Sequence, residues 1–463
     1  MTALDYAAPA APPSAGRGVI VRLSIMMLLQ YAVWGVWLPY LASYLSKSPA
    51  EGGLGFDASQ MGLIFGVALS LGAVAAPFIA GQVADRYMNA ERALALLLLV
   101  GGVLNIALAK VTGFGPFLLV SIAYSIAYMP TLSLTNSIAF QNLPDTERQF
   151  PMVRLWGTIG WVVASTAFTK FYLSGVSDLE ATRRIAHALI VSGVLSIGYA
   201  VYALLVLPKT PPRVGAEPLA FMKAFRLLGN PAFLLVTLIA LPVAMIHQVY
   251  FMRGAPFFET VVGVKKEDLG WVLGIGQASE IVFLLVLGFL LKRIGYKWVL
   301  VLGCLAYAVR FGIFALGTPP AFVIASQALH GLCYGCFFAG SFLLVEKIAS
   351  EDIRHSAQTV YGIIILGVGP ILAGVYNGSI LGRFENASGH VNYRGVWGVQ
   401  AGIALAAAVV LAVAFRYRDS TKICPNPDCG ASVPTDAEFC PRCGHTLAPH
   451  TPTAAVHHSD RLS

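Results

Sequence analysis

Four cysteines near the C-terminus carry the most specific chemistry in this 463-residue sequence. Cys424-x4-Cys429, ten intervening residues and Cys440-x2-Cys443 make two thiolate pairs at the spacing of a closed, tetrahedral zinc site. Gly430 and Gly444 follow the second cysteine of each pair, where backbone amides have to turn toward the sulfurs. A ribbon of about 25 residues has no core of its own and folds on its metal. Two disulfides are the alternative, and they require an oxidising compartment. His445, beside the last ligand, reads as a bystander.

A second kind of chemistry rests on one acid. Of the 23 acidic residues, only Glu280 sits well inside an apolar run. It is about 11 residues from each end, and so about 16 Å deep at 1.5 Å per residue. A carboxyl at that depth is costly in lipid, and proton coupling is the role assigned to it. Gln277 stands one turn earlier on the same face. The plainer reading is a structural carboxylate tied to an arginine of another span, with Arg310 as the partner. Arg154, Thr158 and Trp161 fall at i, i+4 and i+7, one helical stripe. A guanidinium, a hydroxyl and a ring in that order suit a flat, polar solute. An arginine that merely anchors a span at the interface is the competing account of Arg154. Tyr334 and Phe338 share a face, as do Gln30, Trp34 and Trp37, and each set taken alone reads equally as packing.

Membrane-spanning helices must position these groups. The chain is 57% hydrophobic and 12% charged, about half the charge of a soluble domain. Its apolar residues form runs of about 18 or more, long enough to cross a hydrocarbon layer of about 30 Å. Such runs must be helical, because lipid offers no partner to an unpaired amide. The expected spans cover 19–45, 59–84, 92–110, 116–143, 151–172 and 186–207, then 231–257, 269–291, 298–317, 321–346, 356–381 and 395–417. The fold class is therefore an all-α membrane protein of two six-helix bundles, 17–207 and 231–418. A basic, Pro-rich linker at 208–230 joins them, with a short amphipathic piece at 221–228. A disordered tail at 1–16 precedes them, with no cleavable signal peptide; a zinc ribbon at 419–448 and a second disordered tail at 449–463 follow. The net charge of +8 is topological rather than a nucleic-acid footprint. With both termini cytoplasmic, roughly 20 Lys/Arg fall inside and roughly 10 outside. Six spans, a linker and six spans is the layout of a transporter whose site lies between the halves.

Gly81-Gln82-Val83-Ala84-Asp85-Arg86, with Arg92 six residues on, lies between spans two and three. Gly81 permits close helix contact, and the Asp85–Arg86 charges can lock a cytoplasmic gate that breaks when the bundles rock. The motif resembles the major facilitator signature, with the usual basic residues after it partly replaced by Asn89 and Ala90.

A narrower resemblance follows. Leu29-Gln30-Tyr31-Ala32-Val33-Trp34-Gly35-Val36-Trp37-Leu38 resembles the first span of the bacterial nucleoside–proton symporters. Tyr128-Met129-Pro130-Thr131-Leu132-Ser133-Leu134-Thr135-Asn136-Ser137, Phe150-Pro151 and Arg154-Leu155-Trp156-Gly157-Thr158-Ile159-Gly160 resemble their fourth and fifth spans. Gln277-Ala278-Ser279-Glu280 and Tyr334-Gly335-Cys336-Phe337-Phe338 resemble stretches of their second half. The resemblance covers residues 20–418. It implies the twelve-helix major facilitator fold in the inner membrane, import of a nucleoside with a proton, and solute contacts at Arg154, Thr158, Gln248, Gln277, Glu280, Tyr334 and Phe338. Trp161 stands where the family has phenylalanine, Phe251 where it has a second polar contact, and Ala339 where it has an acid. The zinc ribbon is an addition to the family pattern.

No phosphate-cradling loop, nucleophile elbow or cofactor fingerprint is present, so zinc is the single cofactor expected and an enzyme is not. Two other readings compete with nucleoside symport: a sugar or oligosaccharide symporter, and a membrane solute sensor whose ribbon signals to a cytosolic partner.

Overall fold

The computed structural model describes residues 16–79, 88–211, 226–349, 354–386, 390–417, 421–426, 429–430, 432–434, 439–440 and 442–447. The gate motif Gly81, Asp85 and Arg86 lies outside these residues, as do both tails and most of the linker, including 221–225 of its amphipathic piece. The described residues divide into a helical unit ending at Phe415 and a small unit beginning at Arg416.

In the helical unit, ten segments are long and apolar enough to cross a membrane. In chain order the helices are α1 (Arg17–Ser46), α2 (Ala58–Pro77), α3 (Ala90–Leu108), α4 (Phe114–Asn142), α5 (Thr146–Tyr172) and α6 (Asp178–Leu205). Then come α7 (Pro231–Thr260), α8 (Lys266–Leu316), α9 (Pro320–Ile348), α10 (Ala357–Phe384) and α11 (Tyr393–Ala414). Of these, α5 is the more polar one outside the ten, carrying Arg148, Arg154 and Lys170. Expected spans eight and nine both lie in α8, one on each side of Gly295, where the backbone breaks helical geometry at φ 74° and ψ 168°. These helices pack into one body.

Apolar surface gives helices no reason to prefer each other over lipid, so polar clamps and small residues fix their packing. In the first half, Gln30 of α1 donates to Thr131 of α4 at 2.7 Å, and Asn105 of α3 donates to Ser192 of α6 at 2.9 Å. Between the halves, α2 meets α10 at Gly62 and Gly374. A Cβ on Gly374 would stand 2.2 Å from the Gly62 carbonyl oxygen, so only glycine allows this approach. One end of the unit is further tied by charge. Glu259 at the end of α7 takes Lys47 at 2.8 Å and Lys266 at 3.3 Å, and Lys266 also reaches Asp178 at 3.1 Å. Lys170 pairs with Asp268 at 2.6 Å. Burial alone would lower the Lys47 pKa, but Glu259 beside it more than reverses this and holds it above its ordinary value.

Three helices widen locally to a π turn: Leu63–Ala68 in α2, Cys333–Ala339 in α9 and Ile364–Val368 in α10. Such bulges rotate the side chains that follow and cluster at functional sites. All three contribute residues to one central cavity.

The small unit is a two-stranded antiparallel sheet, β1 (Thr421–Ile423) against β2 (Ser432–Pro434), with Lys422 opposite Val433. Leu447 packs on Cys424 and Cys440, the little apolar cover this unit has.

Candidate solute cavity and metal centre

A cavity of about 250 Å³ lies between the two halves of the helical unit, close to the small end of the range for solute pockets. All eight residues singled out as solute contacts line it. Arg154, Thr158 and Trp161 come from α5, Gln248 from α7, Gln277 and Glu280 from α8, and Tyr334 and Phe338 from the π turn of α9. Both halves therefore share one wall, as alternating access requires.

The polar groups are held in distinct ways. Arg154 lies 4.1 Å from the centroid of the Tyr31 ring. Gln248 donates to the Phe65 carbonyl at 2.9 Å, a hydrogen bond from the second half to the π turn of the first. Trp161 stands edge-on to Trp34 at 5.4 Å. Of the aromatic stripe on α1, Trp34 reaches the cavity, whereas Trp37 packs on Tyr124 and Gln30 serves the first half as a clamp.

Around Glu280 the structure differs from a simple pairing with Arg310. His330 stands between them, its Nε2 3.1 Å from Glu280 Oε1 and its Nδ1 2.9 Å from the Arg310 guanidinium. Local packing explains the approach. A Cβ on Gly331 would lie 2.3 Å from the Ser279 carbonyl carbon, so glycine lets α9 touch α8 one residue from both side chains. Ser279 Oγ then accepts from the Gly331 amide at 2.9 Å. His247 of α7 stacks on His330, ring centroids 5.4 Å apart and 11° from parallel, and also meets Phe338 at 5.1 Å. Sequence reasoning weighed the acids within spans and passed over the two histidines. Their position in otherwise apolar runs was the available signal.

The two departures from the family pattern have different surroundings. Phe251 lines the cavity and meets the His247 ring edge-on at 5.5 Å, so an apolar surface replaces a polar contact there. Ala339 packs against Leu287, Val299 and Cys336, an apolar cluster.

In the small unit the sulfurs of Cys424, Cys429, Cys440 and Cys443 all lie within 4.8 Å of one another. Cys424 to Cys443 is 3.6 Å and Cys429 to Cys440 is 3.7 Å. Four thiolates at about 2.3 Å from one ion would stand about 3.8 Å apart, so the donor set fits zinc. Gly430 and Gly444 take φ of +56° and +71°, and the Gly444 amide donates to the Cys440 carbonyl at 2.8 Å. His445 contributes its backbone, its carbonyl accepting from the Cys440 amide at 2.8 Å.

Residues 427–447 match the zinc-ribbon domain family, a window that leaves Cys424 just outside it. Residues 18–420 match the family described as Nucleoside H+ symporter. The xanthosine permease of Escherichia coli (strain K12) is 32% identical over 430 residues, 88% of this chain and 98% of that one. Nucleoside permease NupG of the same organism is 29% identical over 421 residues, 86% and 96%. A crystal structure of nucleoside transporter NupG superposes with a TM-score of 0.75 at 27% identity, covering 86% of this chain and all of that one. From its first span to the end of its last helix, this chain belongs to the nucleoside–proton symporter family of multi-pass membrane transporters.

Proposed function

We propose that the protein imports nucleosides together with protons by alternating access, with no enzymatic step, binding the solute in the central cavity. The observation that carries this reading is the single wall on which α5, α7, α8 and α9 place Arg154, Thr158, Trp161, Gln248, Gln277, Glu280, Tyr334 and Phe338. Rings of Trp161 and Phe338 offer faces to a base, and the arginine, amides and carboxyl offer donors and acceptors to base edge and ribose. Glu280 is the proton-coupling group.

The finer topology belongs to the same reading. Twelve crossings follow if α8 is two spans and α5 one, which puts both termini in the cytosol of a cell whose inner membrane holds the protein. The Lys47–Glu259–Lys266 end then faces outward and is closed, and Gly81, Asp85 and Arg86 guard the opposite side. The ribbon holds one structural zinc ion through Cys424, Cys429, Cys440 and Cys443. A cytosolic partner for the ribbon gains no support from the relatives.

Proteoliposomes test the reading directly. Labelled uridine should accumulate under an imposed inward proton gradient, and a labelled disaccharide should not. Accumulation of the disaccharide, or uridine entry that ignores the gradient, would overturn it.

A further inference from the structure

His330 has its two ring nitrogens committed to partners of opposite kind. Nδ1 faces the Arg310 guanidinium at 2.9 Å and Nε2 faces the Glu280 carboxyl at 3.1 Å. An arginine has five donors and no acceptor, so the nitrogen that faces it must offer a lone pair. The single ring proton therefore sits on Nε2, where it is donated to Glu280. A second proton would have to enter at Nδ1, against the guanidinium.

Arg310 is itself fixed. It is fully buried, donates to Gln327 Oε1 at 2.5 Å, and lies 4.2 Å from the centroid of the Tyr250 ring. Gln327 in turn donates to the Tyr250 hydroxyl at 2.8 Å. The remaining groups around His330 are the stacked His247 of α7, whose Nδ1 is 2.7 Å from the Tyr307 hydroxyl, and the Gln277 amide of α8, 3.3 Å from Nε2. The Gln277 atom at that distance is its amide nitrogen, so with His330 Nε2 acting as donor the amide has to turn its oxygen toward the ring to share that proton.

We propose that His330 is a positioning residue for proton coupling, locked by Arg310 as a neutral imidazole whose one N–H is aimed at Glu280. The transported proton then adds to and leaves from a carboxylate oxygen of Glu280, while the His330 N–H bond is never broken. Solute reaching Glu280 competes with His330 for the same carboxyl, which ties solute binding to the acid's protonation. This rests on the reading of Glu280 as the coupling group, and it places the coupling centre on α8 and α9, where Glu280, Arg310 and His330 stand.

His330→Gln keeps an N–H for Glu280 but has no titratable ring. It should retain most of the gradient-driven accumulation that His330→Ala, with nothing to hold the Glu280 carboxyl, loses, and leave the pH profile of exchange unmoved. Arg310→Gln should free Nδ1 to take a second proton, adding to that profile an acid-side inflection that the parent lacks. The inflection should vanish in the Arg310→Gln, His330→Gln double variant. Nitrogen spectra of the parent protein carrying labelled histidine should show one Nε2–H tautomer for this ring from about pH 5 to 8. His330→Gln that exchanges but does not accumulate would make His330 the proton carrier. A ring that charges in that range in the parent would remove the lock, even if the arginine variants fail to fold. Should Glu280→Gln accumulate normally, the failure would lie with the coupling role of Glu280 rather than with the tautomer of His330.

Discussion

The guanidinium of Arg154 lies 4.1 Å from the centroid of the Tyr31 ring, with both side chains on the cavity wall. A ring face attracts the cation without consuming its N–H donors, so those remain for solute. Arg154→Ala should weaken nucleoside binding by about tenfold to a hundredfold, the range for hydrogen bonds to a charged group. Arg154→Lys should not restore it, because an ammonium lacks the planar fork. Calorimetry on purified protein checks this. Equal affinities in all three forms would leave Arg154 as an interfacial anchor.

Stacking separates two rings with different duties. Phe338 sits on the π turn of α9 against His247, and Trp161 leans edge-on against Trp34. Base–aromatic stacking contributes about 1–3 kcal/mol per base, so Phe338→Ala should weaken uridine binding about tenfold or more. Trp161→Ala removes packing as well as a face, and its loss mixes stability with affinity. Trp161→Phe, which keeps a ring, should bind uridine nearly as the parent does. Unchanged affinity in Phe338→Ala would return that ring to ordinary packing.

How the sequence showed this cavity depends on the kind of residue. Arg154, Thr158 and Trp161 were legible as a stripe because helical periodicity alone sets them on one face. Glu280 stood out because an acid deep in an apolar run has few structural excuses. Gln248 was legible through family resemblance, since one amide in a span carries little signal of its own. The bond that holds it, to the Phe65 carbonyl 183 residues away, is a tertiary fact. The interposed His330 was missed for a related reason. Depth and spacing pointed to Glu280 and Arg310 as possible partners, but only the packing at Gly331 decides that an imidazole lies between them. The π turns were equally hidden, because in spans that are apolar on nearly every face the rotation they impose on the following residues leaves no readable mark.

The end that the proposed topology turns outward offers a test of how the two halves are held together there. Glu259 is 5% exposed and shared by Lys47 and Lys266, so one carboxylate serves two ammonium groups from opposite halves. Glu259→Gln keeps the shape and removes the charge, taking from Lys47 its carboxylate partner and leaving Lys266 with Asp178 alone. That end should open more often. A cysteine introduced by Ser46→Cys, next to Lys47 at this end, should then react faster with an impermeant thiol reagent added outside. No change in that rate would show that the glycine contact of Gly62 and Gly374 suffices to hold the closure.

The cysteine cluster predicts a division of labour. Its sulfurs are spaced for zinc within a unit of its own, and among the described residues the lining of the central cavity ends at Pro370. Cys440→Ser should release the metal, read by a chromogenic chelator. Removing Ile423 onward should leave uridine uptake nearly intact in correctly inserted protein. Uptake at background in that truncation would make the ribbon part of the transport machine.

Glu280 carries the sharpest prediction for mechanism. Its side chain is 12% exposed at the cavity wall, one oxygen turned to His330. A group that couples solute to a proton must meet both, and it must be able to let the proton go. Glu280→Gln retains size and a hydrogen-bonding end, and its amide cannot ionise. The variant should therefore bind uridine and perform exchange across a vesicle, because exchange returns the carrier loaded and needs no proton release. Net accumulation requires the empty carrier to return deprotonated, and that step is closed to an amide. Uptake driven by a pH gradient should fall to the level of simple equilibration, while exchange stays close to that of the parent. The pH dependence of uridine affinity should flatten in the same variant, since Arg154, Arg310 and His247 keep their partners and His330 still meets an amide oxygen in place of the carboxyl. Accumulation at the parent's level would remove Glu280 from the proton path, and with Ala339 packed among Leu287, Val299 and Cys336, the search would move to the two stacked histidines.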